Sequence, residues 1–158
     1  SVASRQAASH MAYRWAVSSS MLTVGRYLTR FTVDERLTKG VTMDCLFCKI
    51  LSGEIPADIV YESDTAVAFR DINSMAPTHV LIIPRKHIST INDIEKDDEL
   101  IIGSLYSAAR EIAAQEGIAK EGYRAVMNCN ESAGQSVFHI HLHVMGGRSM
   151  GWPPWPSD

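Results

Sequence analysis

Apolar and polar positions alternate in several short stretches of this chain and switch once to helical spacing. Residues 59–62 alternate weakly and predict a strand. Residues 66–71 predict a second, ended by the Asn73-Ser74 turn and Pro77. Residues 79–83 predict a third, rich in β-branched side chains and stopped by Pro84. Ile101, Leu105, Ala108 and Ile112 recur at helical spacing. They predict a long helix that starts at Asp97 or Asp98, both suited to a helix N-terminus, and ends near Glu116 with Gly117 as its stop. Residues 123–128 predict a fourth strand and residues 132–135 a polar turn. Residues 137–145 alternate most strictly and predict a fifth strand, ended by Gly146-Gly147. Residues 45–51 begin a short helix or turn closed by Ser52-Gly53. Five strands with one long helix between the third and fourth indicate an α+β domain with a mainly antiparallel sheet.

The fifth strand carries the most informative feature. His139, His141 and His143 alternate with Ile140, Leu142 and Val144. Successive side chains of a strand point to opposite faces, so the three imidazoles are expected on one face and the apolar residues in the core. Histidines two residues apart on a strand have Cα atoms separated by roughly 6.5 Å. That spacing suits a small anion or a metal ion.

Charge divides the 158 residues near Met43. Residues 1–42 hold six basic and two acidic residues, net +4, and the remainder nine basic and sixteen acidic, net −7, which together give the formal −3. That overall balance argues against a general nucleic-acid surface. No apolar run reaches the ~18 residues of a membrane span. Residues 1–42 are therefore read as an N-terminal extension and residues 43–158 as one domain. The extension is expected to be presequence-like, tag-derived or partly disordered, since it is rich in Ser and Arg and poor in acids before Asp34. A cytoplasmic location follows, or an organellar one if the extension is a native presequence.

Cys45-Leu-Phe-Cys48 has the spacing of a zinc half-site. Two reduced thiols are the competing reading. No thioredoxin-like βαβ order surrounds the pair, which disfavours a redox motif. Cys129 has no evident partner.

The run His139-Ile-His141-Leu-His143-Val-Met145 resembles the motif of the histidine triad (HIT) superfamily. Glu54-Ile55-Pro56-Ala57, Ala68-Phe69-Arg70-Asp71-Ile72, Ala76-Pro77-Thr78-His79 and Ile83-Pro84-Arg85-Lys86-His87-Ile88 agree with it, as does Gly134-Gln135-Ser136-Val137-Phe138. Gly146-Gly147-Arg148 followed by Trp152-Pro153-Pro154 is similar to the Hint branch rather than to the diadenosine-polyphosphate hydrolases. The resemblance implies a HIT fold and a homodimer whose sheets join edge to edge into ten strands. It also implies cleavage of the P–N bond in AMP or GMP amides, adenylated lysine included. A dinucleoside polyphosphate hydrolase or other nucleotidyl hydrolase of the same fold is the first alternative. The second is a nucleotide-binding regulatory adaptor. The third histidine argues against the transferase branch, where glutamine replaces it.

Roles follow for individual residues. Imidazole is neutral and nucleophilic near pH 7. His141, flanked on both sides, is the natural nucleophile, and no cofactor is needed for that step. His143 is suited to hydrogen-bond phosphate oxygens as charge develops on them. Gly134, Gln135 and Ser136 form a turn whose N–H groups and hydroxyl suit an oxyanion. Asp71, at a strand end, is suited to accept ribose hydroxyls. The resemblance adds His79 to the catalytic network, has Ser136 pass a proton to the leaving group, and makes Asn128 a phosphate or ribose contact. It makes Leu46, Phe47, Ile50, Phe69 and Ile72 the wall against which a purine lies. An apolar wall discriminates poorly between adenine and guanine. It also supplies His87 and His139 as the partners of Cys45 and Cys48 in a structural Zn2+ site.

Overall fold

The computed structural model describes residues 44–154. The extension expected over residues 1–42 lies outside the described residues, as does Trp155. The element order is α1 (Leu46–Leu51), β1 (Ile59–Glu62), β2 (Ala66–Arg70), β3 (Thr78–Pro84), α2 (Glu99–Gln115), β4 (Tyr123–Met127) and β5 (Leu142–Gly146). Short 3-10 turns precede α2 and β5. The five strands form one antiparallel sheet in the order β1-β2-β3-β5-β4. The expected α+β architecture is therefore present. No helix of the described residues is long and apolar enough to cross a membrane.

Alternation along the strands sorts side chains to two cores. Ala66, Ala68, Val80, Ile82, Leu142 and Val144 face α2, where Leu105, Ala108, Ala109, Ile112 and Ala113 meet them. Val67, Phe69, Leu81 and Ile83 face the other way and pack against Cys45 and Phe47 of the α1 segment. β3 is buried along its whole length because both faces are covered. Small alanines on α2 let the helix lie close to the branched side chains of the sheet.

α2 stops as the sequence predicts. Gly117 adopts φ +71°, and the N–H groups of Ile118 and Gly117 donate to the carbonyls of Ala113 and Ala114 at 3.0 and 3.2 Å. That is a Schellman closure, which needs a left-handed residue at Gly117. Its start also falls as expected, with Asp98 at the N-cap position, but the cap is not made by that side chain. Residues Lys96–Asp98 form a 3-10 turn, and Asp98 makes no side-chain cap to α2. Its carboxylate accepts instead from the Glu95 N–H at 3.1 Å and from Lys86 Nζ at 2.6 Å.

The largest departure concerns the histidine strand. The sheet pairing of β5 begins at Leu142, not at Val137. Residues 137–141 run outside the ladder, and the only backbone anchor of Ile140 in this stretch is its N–H to Ile88 O at 2.8 Å. His139 and His141 therefore sit on irregular backbone, and His143 alone of the three is in a strand. Gly146 closes β5 because the backbone passes Ile118; a Cβ there would lie 2.6 Å from Ile118 Cδ1 and 3.0 Å from its Cβ.

Candidate functional site

The histidines divide into two groups. The first is built on α1. Cys45 is its N-cap and Cys48 lies three residues on, so both sulfurs emerge on one side of the first turn. His87, beyond the end of β3, and His139 reach the same point. One donor atom from each of Cys45, Cys48, His87 and His139 lies within 4.8 Å of all the others. His139 Nδ1 is 3.6 Å from both sulfurs, and His87 Nδ1 is 3.4 Å from Cys48 Sγ. Tetrahedral zinc, with Zn–S near ~2.3 Å and Zn–N near ~2.05 Å, requires S···N edges of about 3.6 Å. The donor set thus fits a divalent cation.

The second shell agrees. His139 Nε2 donates to Pro84 O at 2.9 Å, because a carbonyl only accepts. Its Nδ1 lone pair is thereby aimed at the sulfurs. His87 Nε2 lies 3.3 Å from Ser89 Oγ. Burial and the adjacent sulfur of Cys45 push the Cys48 thiol up to about 11, and burial lowers His139 to about 4. A bound cation reverses the first effect and matches the second, since it takes thiolate and neutral imidazole.

The second group holds two separate sets of directed hydrogen bonds. His141 Nδ1 donates to the carbonyl of His139 at 2.8 Å. Its Nε2 therefore carries the lone pair. His79 Nδ1 accepts from the Met75 N–H at 3.1 Å, which leaves the proton on Nε2. That proton faces His143 Nδ1 at 2.9 Å, with Asp71 Oδ2 3.4 Å away. His143 accepts at Nδ1, so its Nε2 carries an N–H. Among the described residues, that buried Nε2 has no partner. A buried donor left unpaired costs free energy unless a ligand meets it. Burial lowers His79, His141 and His143, the last to about 4 with help from the neighbouring rings. All three are neutral at pH 7.

Beside these rings lies a cleft of about 570 Å³. His141, His143 and Ser136 line one end, and Leu46, Phe47, Ile50, Phe69, Asp71 and Ile72 continue along it. The structure thus brings together nine of the residues singled out in the sequence. Phe47 packs edge-on against the His141 ring, with centroids 5.2 Å apart. Asp71 accepts from the Asn73 N–H at 2.8 Å, which turns the chain after β2 toward the cleft.

Others fall elsewhere. His79 stands behind His143 rather than in the cleft wall. The Gln135 side chain is spent inside the fold: Nε2 donates to Ser89 O and Val137 O at 2.7 and 3.2 Å, and Oε1 accepts from Asn130 N–H at 2.8 Å. It braces the turn before Ser136 instead of facing a ligand. Gly134 takes φ +89° beside Asn128, and neither lines the cleft. Ile55, Pro56, Ala57, Asp58 and Val137 do line it without having been assigned to the site. Nothing in their spacing distinguishes a cleft wall from a turn.

The model of the HIT domain family matches residues 52–150. A purine nucleoside phosphoramidase of Escherichia coli (strain K12) is 51% identical over 108 residues, 68% of this chain and 91% of that protein. An uncharacterized HIT-like protein of Synechococcus elongatus is 47% identical over 111 residues, 70% of this chain and 96% of that one. Among solved structures, a HIT family hydrolase from Legionella pneumophila Philadelphia 1 matches with a TM-score of 0.69 at 54% identity, covering 71% of this chain and 100% of that one. A histidine triad protein from Clostridium difficile matches with a TM-score of 0.67 at 39% identity, covering 69% and 95%.

Proposed function

This chain belongs to the HIT domain family, and on that premise we propose that it hydrolyses the P–N bond of purine nucleoside 5′-phosphoramidates. AMP and GMP amides are the substrates, adenylated lysine among them. One observation carries the reading: His141, with a lone pair on Nε2, and His143, with an unpartnered N–H on Nε2, line one cleft. The first is a nucleophile, and the second a donor for the oxygens of the phosphorus it attacks.

His141 Nε2 attacks phosphorus, the P–N bond breaks, and the amine leaves with a proton passed through the Ser136 hydroxyl, which recovers it from solvent. The nucleotide is then joined to His141 by an N–P bond. Water attacks the same phosphorus and returns a proton to solvent. His141 is released as neutral imidazole with the nucleoside monophosphate. Throughout, the His139 carbonyl holds His141 Nδ1–H, and His79 keeps the His143 proton on Nε2. Asp71 receives the ribose hydroxyls, and Leu46, Phe47, Ile50, Phe69 and Ile72 form the purine wall. Asn128 and Gly134 support the phosphate turn.

Mixing the protein with adenosine 5′-phosphoramidate and reading the intact mass tests this. An AMP-mass adduct is expected in the wild type and none in His141→Ala. Amine release without any adduct on rapid quenching would remove the covalent step.

We assign zinc to the Cys45, Cys48, His87 and His139 cluster as a structural ion outside the chemical steps. The reducing cytoplasm suits its thiols. We also propose a homodimer joined at β4 into a ten-stranded sheet. β1 is bulged between Ile59 and Tyr61, which disfavours pairing at that edge, whereas β4 keeps regular register with β5 and ends the sheet on the other side. Light scattering is expected to give twice the chain mass. Residues 43–158 constitute the catalytic domain in this reading.

A further inference from the structure

The nucleophile sits where the sheet does not hold it. β5 joins the ladder only at Leu142, so His141 lies just outside it and His139 two residues farther. Three contacts set the His141 ring. Its Nδ1 donates to the His139 carbonyl at 2.8 Å, its face meets Phe47 at 5.2 Å, and it packs on the His143 ring at 4.9 Å. The first originates in a residue of the cation cluster, and the second in a residue between that cluster's two cysteines. His139 is itself a donor of that cluster, fully buried, with Nδ1 3.6 Å from both sulfurs. Phe47 lies between the two cysteines in α1 and also touches the His139 ring edge-on at 6.0 Å.

We propose that Cys45, Cys48, His87 and His139 act as a positioning module for His141. When the four donors share a divalent cation, the backbone of His139 and the ring of Phe47 are held together. They in turn hold the His141 ring with its Nε2 lone pair in the cleft. Without the cation, His139 keeps the Pro84 hydrogen bond but loses its anchorage to α1. The Phe47 wall and the Nδ1–H bond of His141 then loosen together. The four residues do not touch the reacting atoms. The proposal rests on the reading of His141 as nucleophile for its consequence in catalysis, but its physical content concerns a hydrogen bond that exists without substrate.

The molecule contains its own control. The His79 Nε2–H···His143 Nδ1 bond at 2.9 Å is equally an imidazole N–H bond, and neither ring belongs to the cluster. Nitrogen-15 NMR of the full chain reads both protons. The sample is first saturated with Zn2+, then stripped with a chelator, then reloaded with Zn2+ or Cd2+. The His141 Nδ1–H is expected to exchange about tenfold faster in the stripped protein, while the His79 Nε2–H is unchanged, and reloading restores it. AMP affinity, measured by calorimetry on the same samples, is expected to fall several-fold and to recover. His87→Asn repeats the comparison in a variant that leaves α1 and both cysteines intact. Equal exchange of the His141 proton in the loaded and stripped states overturns the proposal. So does parallel loss of both protons, which makes the cluster a staple of the whole fold. Selective loss of the His141 proton in a protein that cleaves no phosphoramidate supports the positioning module and sinks only the proposed reaction.

Discussion

Two histidine clusters meet at residues 139–141, and they differ in the gap between their donor atoms. In the cluster of Cys45, Cys48, His87 and His139, sulfur and nitrogen stand 3.4–3.6 Å apart with their lone pairs converging. In the cluster of His79, His141 and His143, the ring nitrogens of His79 and His143 stand 2.9 Å apart, one donating and one accepting, and His141 bonds to the His139 carbonyl. The wider gap has room for a cation, and the narrower one for a proton. Asp71, His79 and His143 also bring their donors within 4.8 Å of one another, but the His79 proton already occupies the space between the two rings. The same residue type thus serves two chemistries, and the choice is made by which nitrogen a neighbouring backbone group occupies. Pro84 O takes His139 Nε2, His139 O takes His141 Nδ1, and Met75 N–H takes His79 Nδ1.

The sharpest break in this comparison is His141→Ala. Removing the nucleophile is expected to lower kcat by about 10⁴-fold or more while leaving the cation content unchanged. Steady-state kinetics and elemental analysis of one preparation measure both. Retained turnover would move the nucleophile elsewhere.

Next in size is loss of the cation. With free metal a thousandfold above its dissociation constant, binding stabilises the fold by about 4 kcal/mol. Chelation, or Cys48→Ser, is therefore expected to lower the melting temperature by many degrees. A melting curve insensitive to chelator would mean the four donors hold only protons.

His79→Ala tests the proton cluster from behind. It removes the donor that keeps the His143 proton on Nε2, and a loss of about 10²-fold in kcat is expected with little change in KM. The melting temperature should respond far less than to chelation. If the two responses are alike, the clusters are not functionally distinct.

The smallest effect comes from a pair outside both clusters. The Lys86 ammonium hydrogen-bonded to Asp98 holds that carboxyl below its ordinary value of 3.8, and the same bond raises Lys86 above 10.5. A carboxyl lowered on folding contributes stability above its ordinary value and loses it as pH falls through the folded one. A raised lysine contributes below its ordinary value and loses it as pH rises. Lys86→Ala is therefore expected to cost about 1 kcal/mol between those limits. The difference from wild type should vanish in strong acid and strong base, as thermal melts across pH can determine. kcat at neutral pH should not change.

Much of this was legible in the chain. The weak alternation at Ile59–Glu62 and the apolar, β-branched runs at Ala66–Arg70 and Thr78–Pro84 yielded strands within one residue of expectation. Gly117 marked a true helix stop, because only a residue tolerant of positive φ closes a Schellman turn. Gln135 misled, because a polar side chain in a turn before the histidines has two uses. Only the backbone groups of Ser89, Asn130 and Val137, remote or not yet folded around it in sequence terms, decide that it braces the turn. The start of α2 was legible at Asp98, but the Asp98 side chain was claimed by Lys86 and Glu95 instead of capping the helix.

The sequence by itself determined the elements, the order of apolar faces and the presence of imidazoles at every second position. Those depend on local periodicity, which a chain carries in its own spacing. Tertiary structure alone decided that the alternation at 137–141 leaves the sheet, that His139 turns its Nδ1 to two sulfurs, and that the remaining nitrogen, Nε2, carries a lone pair on His141 and a proton on His143. The reason is physical. An imidazole has two nitrogens and one proton at neutral pH, and its tautomer is set by backbone carbonyls and N–H groups brought close by folding.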